Sequence, residues 1–334
     1  MEKAIVFTSK DVVEIKDYTP PPLGAGEILV RTEYSGVSQG TEIWALIGRR
    51  PELEFPTIPG YQAVGKIEQI GADAGAAGFK VGQRVLFHTS RLSAEWPETW
   101  MGAHVGLAVV PVASDPPPRV VPDNIAPEAA ALAALASVAL RGNDMLDIRA
   151  GDFCVVMGLG MIGQGAAQFA RARGAIVVAT DLSETRRAFA AKHSADYVVD
   201  PRATDLGAFV KSMKPNGADV VIDTTGRSAA FMEAMALLRW EGQFLMQGYY
   251  PDPVEFDFHA AHMKKPTVRI TCGCGDTARI LDLMRHGRLD WAPFVTDLHP
   301  VSDAPAVYAK MARGDQSVMG AVFDWTQNAK GGAA

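Results

Sequence analysis

The chain has 334 residues, of which 48% are hydrophobic and 21% charged, enough for two domains that each bury a core. Its formal net charge of −6 argues against nucleic acid and anionic membranes as partners. Three cysteines are too few for a disulfide scaffold or a four-cysteine zinc lobe. The N-terminus has a strand-like pattern rather than a secretory signal, and the most apolar stretch, 129–140, is too short to cross a bilayer, so we expect a cytoplasmic protein.

Two kinds of segment follow one another along the chain. Residues 1–122 contain short runs of β-branched or alternating apolar residues between glycine and proline turns, which predicts an all-β module. From Asn124 the sequence is rich in alanine with helical periodicity, and strand and helix patterns then alternate up to about residue 290. This alternation predicts a doubly wound parallel sheet with helices on both faces, and 268–275 is expected to be one of its buried strands.

A glycine-rich loop stands between a predicted strand and a predicted helix. Gly158, Gly160 and Gly163 have the G-x-G-x-x-G spacing of a dinucleotide-binding loop. The first glycine permits the tight turn, the second lets backbone N–H groups reach a pyrophosphate, and the third lets helix and strand pack closely. Met161 and Ile162 complete the loop at the helix N-terminus, where the helix dipole favours phosphate.

The strand that follows this loop and helix ends on Asp181. A carboxylate there accepts hydrogen bonds from the ribose hydroxyls of NAD and repels the 2′-phosphate of NADP, so the sequence favours NAD(H). We expect Arg186 to contact the cofactor as well, and with Arg187 it could weaken that preference because guanidinium groups bind phosphate. A βαβ turn without a nucleotide is the alternative, but strand, loop, helix and acid all agree with a cofactor site.

These residues resemble the medium-chain dehydrogenase/reductase superfamily, and the resemblance covers nearly the whole chain. Besides the loop, it rests on 60–65 (GYQAVG), 81–85 (VGQRV), 223–226 (DTTG) and 242–248 (GQFLMQG).

The resemblance implies an α/β fold in two parts. A GroES-like β-rich catalytic domain would comprise residues 1–140 and 291–334, and a Rossmann NAD-binding domain would comprise 141–290. Thr225 and Gly248, in the matching segments of the Rossmann domain, are then expected to contact the cofactor.

The zinc-dependent members of the superfamily hold their metal with a Cys, a His and a third ligand. The resemblance places Ser38, Tyr61 and Ala133 at those positions. Hydroxyl, phenol and methyl groups do not replace thiolate and imidazole at a zinc site. Gly40 stands where the usual Ser or Thr proton relay would be. The resemblance therefore implies a zinc-independent branch, and we assign no metal.

Within that branch, four segments look most like the group around bacteriochlorophyllide a dehydrogenase. They are 35–42, 59–61, 248–250 and 323–325. This group resembles secondary-alcohol dehydrogenases that oxidise a hydroxyethyl side chain with NAD, although Gln62 departs from the usual Glu. The resemblance implies hydride transfer between NAD(H) and a secondary alcohol, which could be a polyol, a sugar or a hydroxyethyl side chain.

Hydride transfer from an alcohol also needs a group that moves the hydroxyl proton and stabilises charge on oxygen. Because Tyr61 and Ser38 occupy the ligand positions, we expect them to face the nicotinamide, with Tyr61 as proton donor or acceptor. Ser38 and Thr41 would be its hydrogen-bonding partners, and Gln39 in the same loop would contact the substrate. The alternative for Tyr61 is a packing residue that fills the space of the metal, because a buried tyrosine seeks a hydroxyl partner in either case.

Several further imidazole and aromatic side chains are candidates. His88 follows a predicted strand, and histidine is the natural base near neutral pH. Trp96 and Trp100 could stack on a sugar ring or a flat macrocycle, while His104 and Tyr249 are candidates for substrate contact. The alternatives are structural histidines with satisfied hydrogen bonds and tryptophans that anchor a loop on the core.

Two other functions remain open. One is reduction of a C=C bond or a quinone, as in the zinc-free enoyl and quinone reductases of the superfamily, which usually prefer NADPH. The other is a protein that binds NAD without catalysis. The resemblance also implies a homodimer formed through the edge strand of the Rossmann sheet, here 268–273, because an open sheet exposes its edge.

Overall fold

The computed structural model describes residues 2–97 and 99–327. None of the helices in these ranges has the length and apolarity that a membrane span requires. In chain order the strands and α-helices are β1 (Glu2–Ser9), β2 (Val12–Tyr18), β3 (Glu27–Gly36), α1 (Gln39–Leu46), β4 (Ala63–Ile70), β5 (Arg84–Phe87), β6 (Leu107–Pro111), β7 (Arg119–Val120), α2 (Pro127–Ala130), α3 (Ala133–Asp144), β8 (Phe153–Met157), α4 (Met161–Ala172), β9 (Ile176–Thr180), α5 (Glu184–His193), β10 (Tyr197–Val199), α6 (Leu206–Met213), β11 (Ala218–Asp223), α7 (Ala230–Leu237), β12 (Leu238–Met246), α8 (Phe258–Lys264), β13 (Thr267–Ile270), α9 (Thr277–Arg285), β14 (Asp297–Pro300), α10 (Ala304–Ala312) and β15 (Ala321–Asp324).

The chain divides into two compact units. The first takes in the described residues up to Ala134 and from Asp276 onward, and the second spans Leu135–Gly275. The sequence placed these breaks at 140 and 290, so the structure assigns α9 to the first unit instead of the second. The end of α9 is tied to that unit by a hydrogen bond of 2.9 Å from Asn124 Nδ2 to the Arg285 carbonyl.

The first unit is built on a mainly antiparallel sheet with β3 near its centre. Its strands run in the order β14-β15-β3-β4-β5-β7, and β6 also pairs with β3. Ser35 on β3, Ala63 on β4 and Phe87 on β5 lie side by side in one row across the three strands. The residues just after β3, just before β4 and just after β5 therefore meet at one end of the sheet.

Helix α1 begins just beyond this end of β3, in a region that the sequence predicted to be all-β. Its eight residues bury Glu42, Ala45 and Leu46, and Ser38 is its N-cap. So short a segment does not show the repeated 3.6-residue period by which a helix is recognised in a sequence.

The second unit is a six-stranded parallel sheet in the order β10-β9-β8-β11-β12-β13. Every residue of β8 is buried. Phe153 and Val155 pack into one apolar core, while Cys154 and Val156 pack into another. Because alternate residues of a strand point to opposite faces, helices cover both sides of the sheet, as the doubly wound pattern predicted.

Strand β13 forms one edge of this sheet, and all four of its residues are exposed. Ile270 is 72% exposed, and Cys272, just beyond the strand, is also exposed. The expectation that 268–275 is a buried strand is therefore wrong for this unit. An apolar sequence identifies a strand but does not tell an edge from the interior of a sheet.

Candidate functional site

The glycine loop connects β8 to α4 in the second unit. Gly158 has φ of +85°, and a Cβ at Gly163 would lie 1.8 Å from the Gly158 carbonyl oxygen, so only glycine fits there. A Cβ at Gly160 would instead find nothing nearer than Arg186 Nη1 at 3.9 Å. The first N–H groups of α4, which begins at Met161 and continues with Ile162, have no acceptor within the helix. The loop thus offers N–H groups and open space to a phosphate.

The Asp181 carboxylate, just after β9, is oriented by this loop. Its Oδ2 accepts a hydrogen bond of 2.6 Å from the Leu159 N–H, and its Oδ1 accepts one of 2.7 Å from the Ser183 N–H. Each carboxylate oxygen keeps a lone pair for a ribose hydroxyl. The Arg186 guanidinium lies beside Gly160, where burial lowers its pKa and the Asp181 charge opposes that shift.

The ends of β11 and β12 complete the same edge of the second unit. Thr224 Oγ1 donates 2.9 Å to the Gly158 carbonyl, and the Thr225 N–H donates 3.0 Å to Asp223 Oδ1. A Cβ at Gly248 would lie 2.5 Å from the Gly226 nitrogen, so the two chain segments touch through their backbones. The structure therefore brings Thr225, Gly248 and the loop together, as expected.

Two residues at this edge were missed in the sequence. The Tyr250 hydroxyl donates a hydrogen bond to Asp223 Oδ2, and burial raises the pKa of the Asp223 carboxyl. The signal was available, because Asp223 is a carboxylate at the carboxyl end of a buried parallel strand. Tyr249, which was expected to contact substrate, has a partly exposed side chain, and its carbonyl packs against Gly226.

Tyr61 and Ser38 meet in the first unit at the end of the sheet described above. The Tyr61 hydroxyl donates a 2.7 Å hydrogen bond to Ser38 Oγ, and both side chains are at least nine-tenths buried. Ser38 occupies the N-cap position of α1, yet its side chain makes no capping hydrogen bond. The Trp100 ring lies 5.9 Å from the Tyr61 ring and is 47% exposed, so an aromatic surface borders the pair.

The residues at the family's zinc-ligand positions do not fit a zinc ion. Ser38 and Tyr61 hydrogen-bond each other as neutral hydroxyl groups, and Ala133 at the start of α3 has no donor atom. Zinc sites in proteins use thiolate, imidazole or carboxylate ligands. In 2–97 and 99–327, no cluster of three or more His, Cys, Asp or Glu side chains could hold a metal.

The His88 ring contacts the backbone of Tyr61, but its lowered pKa does not suit a general base at neutral pH. The ring is buried, and Nδ1 lies 3.1 Å from the Tyr61 carbonyl oxygen, so Nδ1 bears the proton and donates it. Burial lowers the pKa of His88 to about 4, with the Arg119 charge acting in the same direction. The expectation of a base poised near neutral pH is therefore wrong, and His88 holds the backbone of Tyr61.

Three of the four other candidate residues lack the contacts expected of them, and for the fourth the structure gives only its position. His104 is fully buried and both ring nitrogens are hydrogen-bonded within the protein, so it contacts no substrate. Trp96 packs against the apolar core of the first unit, which favours the anchoring alternative. Thr41 lies in the first turn of α1, and among the described residues its side chain bonds neither Ser38 nor Tyr61. Gln39 is the first residue of α1 and is partly buried.

Known proteins match both units. Residues 161–286 match the family model described as zinc-binding dehydrogenase, and residues 24–107 match that of the alcohol dehydrogenase GroES-like domain. L-galactonate-5-dehydrogenase of Escherichia coli is 27% identical over 326 residues, which is 93% of this chain and 95% of that protein. The 2-desacetyl-2-hydroxyethyl bacteriochlorophyllide A dehydrogenase of Cereibacter sphaeroides is 29% identical over 313 residues, 91% and 92% of the two chains.

The fold agrees with that of a solved dehydrogenase. The crystal structure of 2R,3R-butanediol dehydrogenase from Bacillus subtilis has a TM-score of 0.84 to this chain at 20% identity, covering 97% of this chain and 99% of that one. The predicted combination of a Rossmann sheet with a GroES-like module is confirmed.

His88 should make the protein sensitive to acid. Its pKa is lower in the folded chain than the usual 6.5, so protons bind the unfolded chain more tightly and stability falls as the pH drops from 6.5 toward 4. Between about pH 7 and about pH 5 this residue should cost about 2 kcal/mol of unfolding free energy. Urea unfolding of the protein and of His88→Asn, which keeps a donor for the Tyr61 carbonyl but does not titrate, measures the difference. Equal acid sensitivity of the two proteins would contradict this assignment.

Proposed function

Because the chain belongs to the medium-chain dehydrogenase/reductase superfamily, we propose that it is an NAD(H)-dependent, zinc-independent oxidoreductase that interconverts a secondary alcohol and its ketone. Two curated relatives with similarity along most of the chain are dehydrogenases of L-galactonate and of a hydroxyethyl bacteriochlorophyllide. A polyol, a sugar or a hydroxyethyl side chain is accordingly the substrate class. The hydrogen-bonded Tyr61–Ser38 pair is the observation that carries the proposal, because it supplies a proton-transferring hydroxyl at the positions of the zinc ligands.

The proposed chemistry divides between the two units. Bound NAD(H) would exchange a hydride with the carbon that bears the oxygen. In ketone reduction Tyr61 donates its hydroxyl proton to the carbonyl oxygen and the resulting phenolate then takes up a proton from water; in alcohol oxidation Tyr61 first gives its proton to water and the phenolate then accepts the proton of the alcohol. When no substrate is bound, Ser38 Oγ accepts a hydrogen bond from the Tyr61 hydroxyl, and this bond keeps the hydroxyl oriented. Hydride and proton together convert C=O into CH–OH, so the step balances without a metal.

The site in the second unit supports NAD(H) over NADP(H). Asp181 is held by two backbone N–H groups and cannot turn away from the ribose without leaving both unpaired. Arg187, the other guanidinium nearby, is engaged by Asp200 at 2.8 Å and by the Asp181 carbonyl. Arg186 lies beside Gly160, which supports a contact with the pyrophosphate rather than with a 2′-phosphate.

We also propose that the protein is a homodimer paired through β13. The strand is an edge of the parallel sheet, and its exposed residues include the apolar Val268 and Ile270. An exposed apolar edge strand has unpaired backbone groups that a second copy can satisfy.

Replacing Tyr61 should stop proton transfer and leave cofactor binding intact. With a secondary alcohol, polyol or sugar found by screening for NAD⁺ reduction, Tyr61→Phe should lower kcat by about 10²- to 10⁴-fold, the usual contribution of a general acid or base. NADH affinity, measured by fluorescence, should not change. The matched control is Tyr34→Phe, which removes the hydroxyl of a partly buried tyrosine in the same unit.

The same assay tests the metal assignment. Enzyme dialysed against chelator should keep its activity. Activity that is lost on chelation and restored by zinc would contradict zinc independence, and unchanged turnover of Tyr61→Phe would remove the catalytic role of Tyr61.

Cofactor choice should depend on the Asp181 charge. NADH should bind about 10- to 100-fold more tightly than NADPH, corresponding to about 1.5–3 kcal/mol for a hydrogen bond to a charged group. Asp181→Asn should reduce that ratio about tenfold, whereas Glu184→Gln, which removes an exposed carboxylate in the first turn of α5, should not. A preference of the unmodified protein for NADPH would favour reduction of a C=C bond or quinone instead.

Disrupting the β13 edge should give monomers. Ile270→Lys places a charge in the apolar edge of each copy, where it would have to be buried on pairing, so sedimentation should show a species near 35.7 kDa in place of twice that mass. Tyr197→Lys alters a similarly exposed residue on β10, the opposite edge of the sheet, and should remain dimeric. An unmodified protein that sediments as a monomer would contradict the proposal.

A further inference from the structure

Five polar side chains lie fully or almost fully buried in the first unit beside the Tyr61–Ser38 pair. We call them the Glu42 cluster; its members are Ser35, Glu42, His104, Tyr308 and Trp325. They come from β3, α1, the segment before β6, α10 and the end of β15. A carboxylate and an imidazole with no exposed surface are costly to bury, so their presence calls for a specific explanation.

The cluster is closed by hydrogen bonds. Glu42 Oε1 accepts the Ser38 backbone N–H at 2.7 Å, and Glu42 Oε2 accepts the Tyr308 hydroxyl and lies 3.1 Å from His104 Nε2. His104 Nδ1 lies 2.8 Å from Ser35 Oγ, and Ser35 Oγ in turn accepts Trp325 Nε1–H at 2.8 Å.

These contacts fix the direction of every donor. The Ser35 hydroxyl proton has only His104 Nδ1 as an acceptor among the described residues, so Nδ1 must be unprotonated. His104 then carries its proton on Nε2 and donates it to Glu42 Oε2. The Glu42 carboxyl group receives three donors, from Ser38, Tyr308 and His104. A doubly protonated His104 would leave the Ser35 hydroxyl without an acceptor, which costs stability in a buried site.

The cluster touches both members of the Tyr61–Ser38 pair. Glu42 holds the backbone N–H of Ser38. The His104 ring packs directly on Gly60, where a Cβ would lie 2.6 Å from the ring and φ is +88°. Gly60 immediately precedes Tyr61, and its carbonyl accepts the Ala103 N–H at 3.0 Å. The hydrogen bond between His104 and Glu42 therefore connects the residue that packs beside Tyr61 to the residue that binds the Ser38 N–H.

We propose that Glu42 and His104 are positioning residues that fix the Tyr61 hydroxyl against Ser38 for proton transfer. This inference rests on the proposed role of Tyr61 in alcohol oxidation. Tyr308 and Trp325 act indirectly: the Tyr308 hydroxyl donates to Glu42, and Trp325 Nε1–H donates to Ser35.

Two substitutions of His104 distinguish the effect of its hydrogen bond to Glu42 from the effect of its ring packing on Gly60. Both His104→Gln and His104→Asn remove the ring from Gly60. The amide of Gln reaches about as far as Nε2 and can still donate to Glu42, whereas the amide of Asn reaches only about as far as Nδ1. In His104→Asn the carboxylate loses a donor, and kcat should fall about 100-fold, the scale reported for small misplacements of reacting groups. His104→Gln should recover most of that loss, and both variants should bind NADH as the unmodified protein does.

A second measurement does not require turnover. In protein labelled with ¹⁵N-histidine, the His104 ring should carry its proton on Nε2 and not on Nδ1. The Ser38 amide resonance should move in His104→Asn and stay close to its original position in His104→Gln. Comparison with the variants identifies His104 among the seven histidines.

These experiments distinguish failure of the positioning inference from failure of the proposed alcohol oxidation. If no alcohol is oxidised but the ring and amide resonances behave as expected, the positioning geometry stands and the function of the pair is wrong. An Nδ1–H tautomer of His104, or equal effects of the two variants on kcat and on the Ser38 amide, would overturn the inference.

Discussion

The hydrogen bond from the Tyr61 hydroxyl to Ser38 Oγ is the interaction around which the first unit is arranged. A serine at the start of a helix ordinarily uses its hydroxyl to cap the helix, which contributes about 1 kcal/mol. Ser38 gives up that bond and accepts from Tyr61 instead. Its own N–H is satisfied by Glu42 four residues later, so the helix start remains ordered. The missing cap and the oriented Tyr61 hydroxyl support the proton-transferring role proposed for Tyr61.

The second unit differs from the first, because its candidate site depends on backbone groups that approach one another closely. Its essential contacts are between main-chain atoms, such as Gly163 against the Gly158 carbonyl and Gly248 against Gly226. Side chains enter mainly to orient this backbone, as Asp181 does with the Leu159 N–H. A site made of backbone contacts leaves a clear trace in the sequence, because only glycine permits them.

This difference explains how far the sequence could be interpreted. The glycine loop, Asp181 and the doubly wound sheet follow from local spacing, and the structure brings them together as expected. The environments of His88 and His104 depend on burial and on partners distant in the chain, and no local pattern contains that information. Glu42 was overlooked for the same reason, since a glutamate after Gly40-Thr41 resembles an ordinary solvent-exposed residue, and only the fold brings Tyr308 against it.

The two buried histidines show why proton transfer is assigned to tyrosine in this chain. His88 is kept neutral by burial and has its Nδ1 proton engaged by the Tyr61 carbonyl. His104 has both nitrogens committed, one to Ser35 and one to Glu42. Each ring therefore braces the backbone near Tyr61 instead of exchanging protons with a substrate. The zinc-ligand positions hold neither thiolate nor imidazole and both nearby imidazoles are engaged, which supports the proposal that the Tyr61 hydroxyl, hydrogen-bonded to Ser38, transfers the proton.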